Sequence, residues 1–321
     1  MLAAKHQQGV AMIVAILVVS LASIIGISMQ ARHERDIRRT ENILRGDQAW
    51  RYGMGAEAFV GIALKKDLDD NKYDHPEEAI FQPVTLPIEE GVLRGQITDH
   101  QGCFNINNLG GSKAAEHLAV LERLFGFLGV DVSIIQSIQD WMDADQIAGI
   151  PDGAEDGYYF SQTPAYRTSD FRFSSITELR LVKGLNETHY QKLEPQLCAL
   201  PEADTAVNVN MASAELLAAL AVPSSGTSTP GSGGSSRNVT PSEMTTLYTK
   251  IRQGGAFETT ADFMADPETA GLTYEVALTT QTEWFLAKAS ATIGDITVSQ
   301  SSLIKRTATG SSTYARSRLN F

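Results

Sequence analysis

Hydrophobic and polar positions divide this chain into stretches of three kinds. From Val10 to Met29, VAMIVAILVVSLASIIGISM, twenty residues pass without a charge. At ~1.5 Å per residue such a run makes a helix of ~30 Å, the thickness of a bilayer's hydrocarbon core. The helical pattern continues beyond it. Ile37, Leu44, Tyr52, Phe59 and Ile62 step along one face, with Gln48 as a polar interruption. Arg32, Arg35, Arg38 and Arg39 interleave with Glu34, Asp36 and Glu41, mostly on other faces, and no proline occurs before Pro76. One helix is therefore predicted over 10–64, with 10–29 in the membrane and the remainder packed on a sheet.

Past this helix the pattern shortens. Asp67 to Glu78, DLDDNKYDHPEE, sets Asp67, Asp69, Asn71 and Glu78 where an EF-hand loop has ligands. Lys72, however, stands where that loop needs glycine, and Asp74 where an apolar residue is usual, so the stretch reads as a solvated turn. Val84 to Ile88 and Val92 to Thr98 flank Glu89-Glu90-Gly91 and read as a hairpin. From Gly110 to about Pro201 the period is helical: Leu118, Leu121, Leu124, Phe125 and Leu128 form one stripe, and Ile134, Ile135, Ile138 and Met142 another. FSSITELRLVKGLNETHYQKL, 173–193, reads as helix, glycine-centred hairpin at 182–185, helix. FNINNL (104–109) and VNVNMA (207–212) echo one another, and Asn210 or Ser213 could cap the helix that the second opens.

Residues 222–241 are a Ser/Gly/Thr/Pro tract expected to be a mobile surface loop, and helix resumes over 242–253. Trp284 to Ile293 and Ile296 to Ile304 flank Gly294-Asp295, a two-residue hairpin turn, and Tyr314 to Phe321 could add an edge strand. Strands thus bracket a helical block. The expected fold is α+β, a long N-terminal helix on an antiparallel sheet, with an all-helical domain (110–280) inserted between the strands of 65–109 and 281–321.

Composition and chemistry narrow the function. A net charge of −12 argues against a non-specific grip on phosphate backbones. The helix-hairpin-helix at 173–193 carries Arg180 and Lys183, but in acidic surroundings it reads as a packed helical unit. A DNA-binding protein of a periplasmic uptake system is the alternative function. No catalytic motif of the common hydrolase, metalloprotease or phosphate-loop kinds is present, so no enzyme is expected. Cys103 and Cys198 are either two buried thiols or a disulfide of an oxidising compartment.

The strongest local signal is DWMDADQIAGIPDGAED, 140–156. Asp140, Asp143, Asp145, Asp152, Glu155 and Asp156 stand there without a basic residue, while Trp141, Ile147, Ile150, Tyr158 and Tyr159 suggest that the loop packs. Such repulsion needs a counter-ion. Calcium, which takes about six to eight oxygens in irregular geometry, fits better than magnesium or zinc.

The amino terminus admits an ordinary anchor, a secretory signal cut near Ser20-Leu21-Ala22, or a third reading. The leader MLAAKHQQG, with Lys5 and His6 and ending in Gly9, resembles a type IV prepilin signal. In that family prepilin peptidase cuts after the glycine, so the mature chain would start at Val10. The positive-inside rule alone would put the arginine-flanked end of the apolar run in the cytoplasm.

Taken together, Gly9 with Val10 to Val14, GDQAWRYGMGAEAF (46–59), CFNINNL (103–109), IQDWMDAD (138–145), GAEDGYY (153–159), ITELRLVKG (176–184) and VNVNMASAELLAAL (207–220) resemble the K-type minor pseudopilins of type II secretion systems. The resemblance implies a pilin-like α/β domain with a helical insertion, a calcium-binding acidic loop and no enzymatic activity. It also implies an N-methylated mature chain in the inner membrane with a periplasmic head at the pseudopilus tip. The implied partners are minor pseudopilins I, J and H and the major pseudopilin G, with no nucleic acid. Most pilins carry Glu at the fifth mature position. This chain has Val14, which suits a subunit with no neighbour's amine above it to meet.

Overall fold

The computed structural model describes residues 8–223 and 239–318. The leader residues Lys5 and His6 and most of the Ser/Gly tract lie outside the described residues. Helix α1, Gln8–Asp70, is 63 residues long, or about 95 Å. It passes Leu64 without a break and ends in the polar turn that holds the Lys65–Asp69 pair.

Strands β1 (Val84–Ile88) and β2 (Gly91–Asp99) form the expected hairpin, with Glu90 at φ 58° in its turn. Gly91 is required by close approach, since a Cβ there would lie 1.8 Å from the Thr292 carbonyl. The chain then leaves the sheet. The insertion holds β3 (Phe104–Asn105), helices α2 (Ala114–Leu128), α3 (Ile134–Met142), α4 (Asp156–Tyr159) and α5 (Glu187–Leu193), and β4 (Leu197–Cys198). It continues through β5 (Val207–Asn208), α6 (Ala214–Leu220), β6 (Ala221–Pro223), α7 (Pro241–Arg252), α8 (Thr260–Ala265), β7 (Leu272–Tyr274) and β8 (Leu278–Thr279). Then β9 (Trp284–Ile293), β10 (Ile296–Thr307) and β11 (Gly310–Ser317) complete an antiparallel sheet of order β1-β2-β9-β10-β11. The edge strand β11 begins four residues before the expected Tyr314.

The insertion therefore runs over 100–283, ten residues earlier than its expected start. Among the described residues it is helical with three short strand pairs, β3–β4, β5–β8 and β6–β7. Its two ends sit side by side, because Asp99 pairs with Phe285 on the neighbouring strand. A segment whose ends already meet adds little strain to the sheet. The Cys103–Cys198 disulfide, S–S 2.07 Å and 95 residues apart, closes a loop at its base. In the chain-entropy account a loop of that size is worth about 4–5 kcal/mol.

The echo between the asparagine segments is a structural repeat. Asn107 brackets Phe173, accepting from its N–H at 2.8 Å and donating to its carbonyl at 2.9 Å. Asn210 brackets Phe257 in the same way, at 2.9 Å each. Two residues after each Phe comes a capping box: Ser175 with Glu178 opens a 3-10 helix over Ile176–Leu181, and Thr259 with Asp262 opens α8. Ser213, not Asn210, caps α6. Both units bury their apolar faces in one core that includes Leu121, Leu124, Phe125, Ile138, Leu216 and Leu247.

The buried face of α1 differs from the expected one. Ala49, Tyr52, Ala56, Val60 and Leu64 pack on Leu93, Ile97, Phe285, Ala287, Ala291 and Ile304 of the sheet. Phe59 and Ile62 point outward, 67% and 68% exposed. The cause is steric: small residues let the helix lie close to the strands, and periodicity weighted toward large side chains misses them. The stretch 67–78 is no solvated turn either, since Asp74 and Glu78 are buried.

Polar contacts fasten the same face. The Glu57 carboxylate accepts from Gln300 Nε2 (2.8 Å), Ser302 Oγ (2.7 Å), Thr313 Oγ1 (2.7 Å) and both Nε and Nη2 of Arg316 (2.7 Å each). Burial opposes its ionisation, but the bonds from Arg316, Ser302 and Thr313 prevail and hold the carboxyl at about 2, below its ordinary 4.5. A depressed carboxyl stabilises the fold above its unfolded value and loses that contribution as pH falls through its folded value. Glu57→Gln in the detergent-solubilised chain is thus expected to cost about 2–3 kcal/mol at neutral pH. Urea titration should show the difference intact above pH 4.5 and shrinking toward pH 2.

Candidate acidic cation site

The acidic loop occupies the place between the second helix of a repeat and its phenylalanine. In the second unit that connection is only 253–256, whereas in the first it runs over 143–172. The loop is thus an elaboration of one unit on a shared scaffold, the usual location for a binding function.

Helix α3 buries Ile134, Ile135, Ile138 and Trp141, which brings Asp140 inward with them. One oxygen of Asp140 accepts from the N–H groups of Gly149 (3.0 Å) and Ala154 (2.7 Å), so this carboxylate folds the loop around itself. Asp143 caps the end of α3, and Asp145 accepts from Ile147 N at 2.7 Å. Trp141 and Tyr159 are buried edge to face with centroids 5.2 Å apart. Ile147 and Ile150, expected to pack, are instead exposed, and Tyr158 is partly so.

The structure brings three of the six acidic residues together. Oxygens of Asp140, Asp143 and Glu155 lie within 4.8 Å of one another. Glu155 is 5% exposed, and neither of its oxygens has a hydrogen-bond partner. Burial first, then the charges of Asp140, Asp143, Asp170 and Asp145, push its carboxyl up to about 7. Burial and Asp145 push Asp143 up as well. Asp156 turns elsewhere, accepting from the N–H and hydroxyl of Thr168 at 3.1 Å each. Asp152 contributes its backbone, its carbonyl accepting from Ser137 Oγ at 2.7 Å.

Asp170 is the member that sequence reasoning missed. It acts on both Asp143 and Glu155, and its φ of 48° marks a tight turn held by Thr168 and Gln146. It lies fourteen residues beyond the acidic run, and only its place in a Thr-Ser-Asp turn between aromatics could have singled it out.

An all-oxygen set with an orphaned, buried carboxylate suits a hard dication. The raised carboxyl of Glu155 faces its sibling carboxylates Asp140 and Asp143. The apolar groove of about 600 Å³ lies elsewhere, between α1 and the sheet. Lys183, the base at the helix-hairpin-helix, donates to the carbonyls of Asp152 (3.1 Å) and Gly153 (3.0 Å), so its charge serves the acidic loop.

Residues 102–202 match the family described as type II secretion system, protein K. The chain is 34% identical over 233 residues to a type II secretion system protein K of Aeromonas hydrophila, covering 67% of this chain and 70% of that one. It is 37% identical over 230 residues to its namesake of Pseudomonas aeruginosa, covering 67% and 68%. A crystal structure of the GspK-GspI-GspJ complex from enterotoxigenic Escherichia coli holds a chain of the same fold. The TM-score is 0.72 at 23% identity, over 87% of this chain and 98% of that one.

A carboxyl whose folded value lies above its unfolded one destabilises the fold once ionised. In chelator, stability carried by Glu155 should therefore fall as pH rises from 4.5 to about 7 and stay low above it. Glu155→Gln removes that penalty. Thermal melts with chelator should show the variant melting above the parent at pH 8 and converging with it below pH 4.5; a constant offset would contradict the assignment.

Proposed function

The chain belongs to the type II secretion system protein K family, and from that premise we propose that it caps the pseudopilus tip as a minor pseudopilin supporting export across the outer membrane. The observation that carries this reading is the split along α1. Its apolar part is bare, with Val10, Ile13, Leu17, Val19 and Ile24 more than half exposed, while the part after Ala49 is fastened to the sheet. A helix with that division spans a bilayer at one end and carries a head at the other.

Cleavage after Gly9 by prepilin peptidase would leave Val10 as the mature amino terminus. Val14 then stands where most pilins have Glu. A carboxylate in the bilayer costs at least ~2.5–3.5 kcal/mol unless a neighbour's amine meets it, so its absence supports a position with no subunit above. The breadth of the insertion supports the same position, since a wide head leaves no room for another stem to stack. The Cys103–Cys198 disulfide supports an oxidising, periplasmic compartment, against the pull of Arg32, Arg35, Arg38 and Arg39. By likeness to the solved complex the partners are minor pseudopilins I and J. Minor pseudopilin H, the major pseudopilin G and the inner membrane complete the setting, the exposed stem packing laterally among other stems. The head acts as structure and not as an enzyme.

In the acidic loop, calcium would be held by Asp140, Asp143 and Glu155, with Asp145 and Asp170 adding to the field. Bound there, it supplies the positive charge that lets the loop close.

Two measurements test this reading. Mass spectrometry of the mature chain should give a start at Val10; a start near Ser23 would mean an ordinary secretory signal and end the filament role. Calcium should raise the melting temperature of the full-length protein by several degrees. Asp143→Ala should remove the part of that rise that belongs to the loop, and indifference of the parent to calcium and chelator would remove the ion from the account.

A further inference from the structure

A second group of carboxylates lies outside the acidic loop, where the end of α1 meets the sheet. Asp67, Asp74 and Glu78 place oxygens within 4.8 Å of one another. Asp74 and Glu78 are 1% and 6% exposed. One arginine serves two of the three. Arg306, itself buried, reaches Asp67 Oδ2 at 2.8 Å through Nη1 and Asp74 Oδ2 at 2.5 Å through Nη2. Its Nε and Nη2 also donate to the Thr282 carbonyl, at 3.1 and 2.7 Å. Glu78 receives none of this charge.

What Glu78 does receive is a neutral bond from Asn71 Nδ2 to Oε1 at 3.0 Å. His75 Nε2 stands 3.8 Å from that same oxygen. The other oxygen, Oε2, is buried without a hydrogen-bond partner. An ionised carboxylate in that position, beside two others, calls for a positive charge that the side chains around it do not deliver. Burial and the charges of Asp67 and Asp74 push its carboxyl up to about 7.

We propose that Asp67, Asp74 and Glu78 form a second site for a hard divalent cation, calcium by its tolerance of irregular oxygen sets. The site is not an EF-hand. Asp69, which the EF-hand count would use, pairs with Lys65 at the surface, and Asp74 takes part although that count makes it no ligand. The cation ties three parts of the head at one point. Asp67 lies in the last turn of α1, Asp74 donates its N–H to Thr280 O at 2.8 Å and accepts from Thr282 N at 2.6 Å on the returning insertion, and Arg306 belongs to β10. A cation held there fixes the insertion relative to the stem.

The site is independent of the acidic loop, and calcium titration of the chelator-stripped full-length protein in detergent separates the two. The parent should bind two ions, Glu78→Gln one, Asp143→Ala one, and the double variant none. Binding lost on Glu78→Gln but untouched by Asp143→Ala would support this site and remove the other. Unchanged stoichiometry in Glu78→Gln, or none left in Asp143→Ala, would overturn the proposal. A readout that needs no change at Glu78 is amide hydrogen exchange in Asp143→Ala: calcium should slow exchange over 71–82. Equal rates with and without calcium there would overturn the proposal.

Discussion

The head depends on how the second half of α1 is held against the sheet. The contact is made by small residues, Ala49, Gly53 and Ala56, with Tyr52, Val60 and Leu64 at intervals, so the helix axis lies close to the strands. Close approach brings helix carboxylates within reach of strand donors. Glu57 meets Gln300, Ser302, Thr313 and Arg316, and Asp67 meets Arg306, each joining the helix to β10 or β11. Such bonds are directional where apolar burial is not, so they fix the rotation and register of the helix as well as its distance.

The sheet in turn explains how so large an insertion is carried. It leaves after Asp99 and returns before Trp284 on adjacent strands, and its base is closed again by the Cys103–Cys198 bond. Trp284 and Leu303 pack with Cys198 and Leu200, so the joint is a small core of its own. Above it the two repeated units share one apolar core, which makes the insertion a single body. Only the first unit carries the long acidic loop, and Lys183 and Asp140 bind that loop's backbone from either side.

What was legible in the sequence was whatever repeats locally. The apolar run at 10–29, the hairpins about Glu90 and Gly294 and the stripes of α2 and α3 stand where their periods put them. The repeat was visible as alternating asparagines, though not what they bind: Asn107 and Phe173 are partners 66 residues apart, and no period links them. The acidic loop was legible as charge, but charge density does not say which carboxylates turn inward. Asp156 is diverted by Thr168, and Asp170 is recruited from beyond the run. The buried face of α1 was misread for a related reason, because Phe59 and Ile62 carry more hydrophobic weight than Ala49 and Ala56 yet face out. The choice between thiols and a disulfide could not be read from two cysteines, since their juxtaposition depends on β3 pairing with β4.

The bulky apolar residues Ile37, Ile43, Leu44, Phe59 and Ile62 are all exposed along α1. Those residues are then lost to the attachment of the head. The helix compensates with small residues that allow close approach and with carboxylates that reach across to the strands. Buried carboxylates bring a cost of their own, because each needs a positive charge nearby. Glu57 and Asp67 find theirs in arginines from the last two strands, whereas Glu78 and Glu155 do not. Both groups sit at joints: Glu78 where the stem meets the sheet, Glu155 where the acidic loop closes on its helix. The attachment of the head thus combines close apolar contact with carboxylates that arginines meet at Glu57 and Asp67, and leaves Glu78 and Glu155 each with a buried oxygen that no side chain bonds.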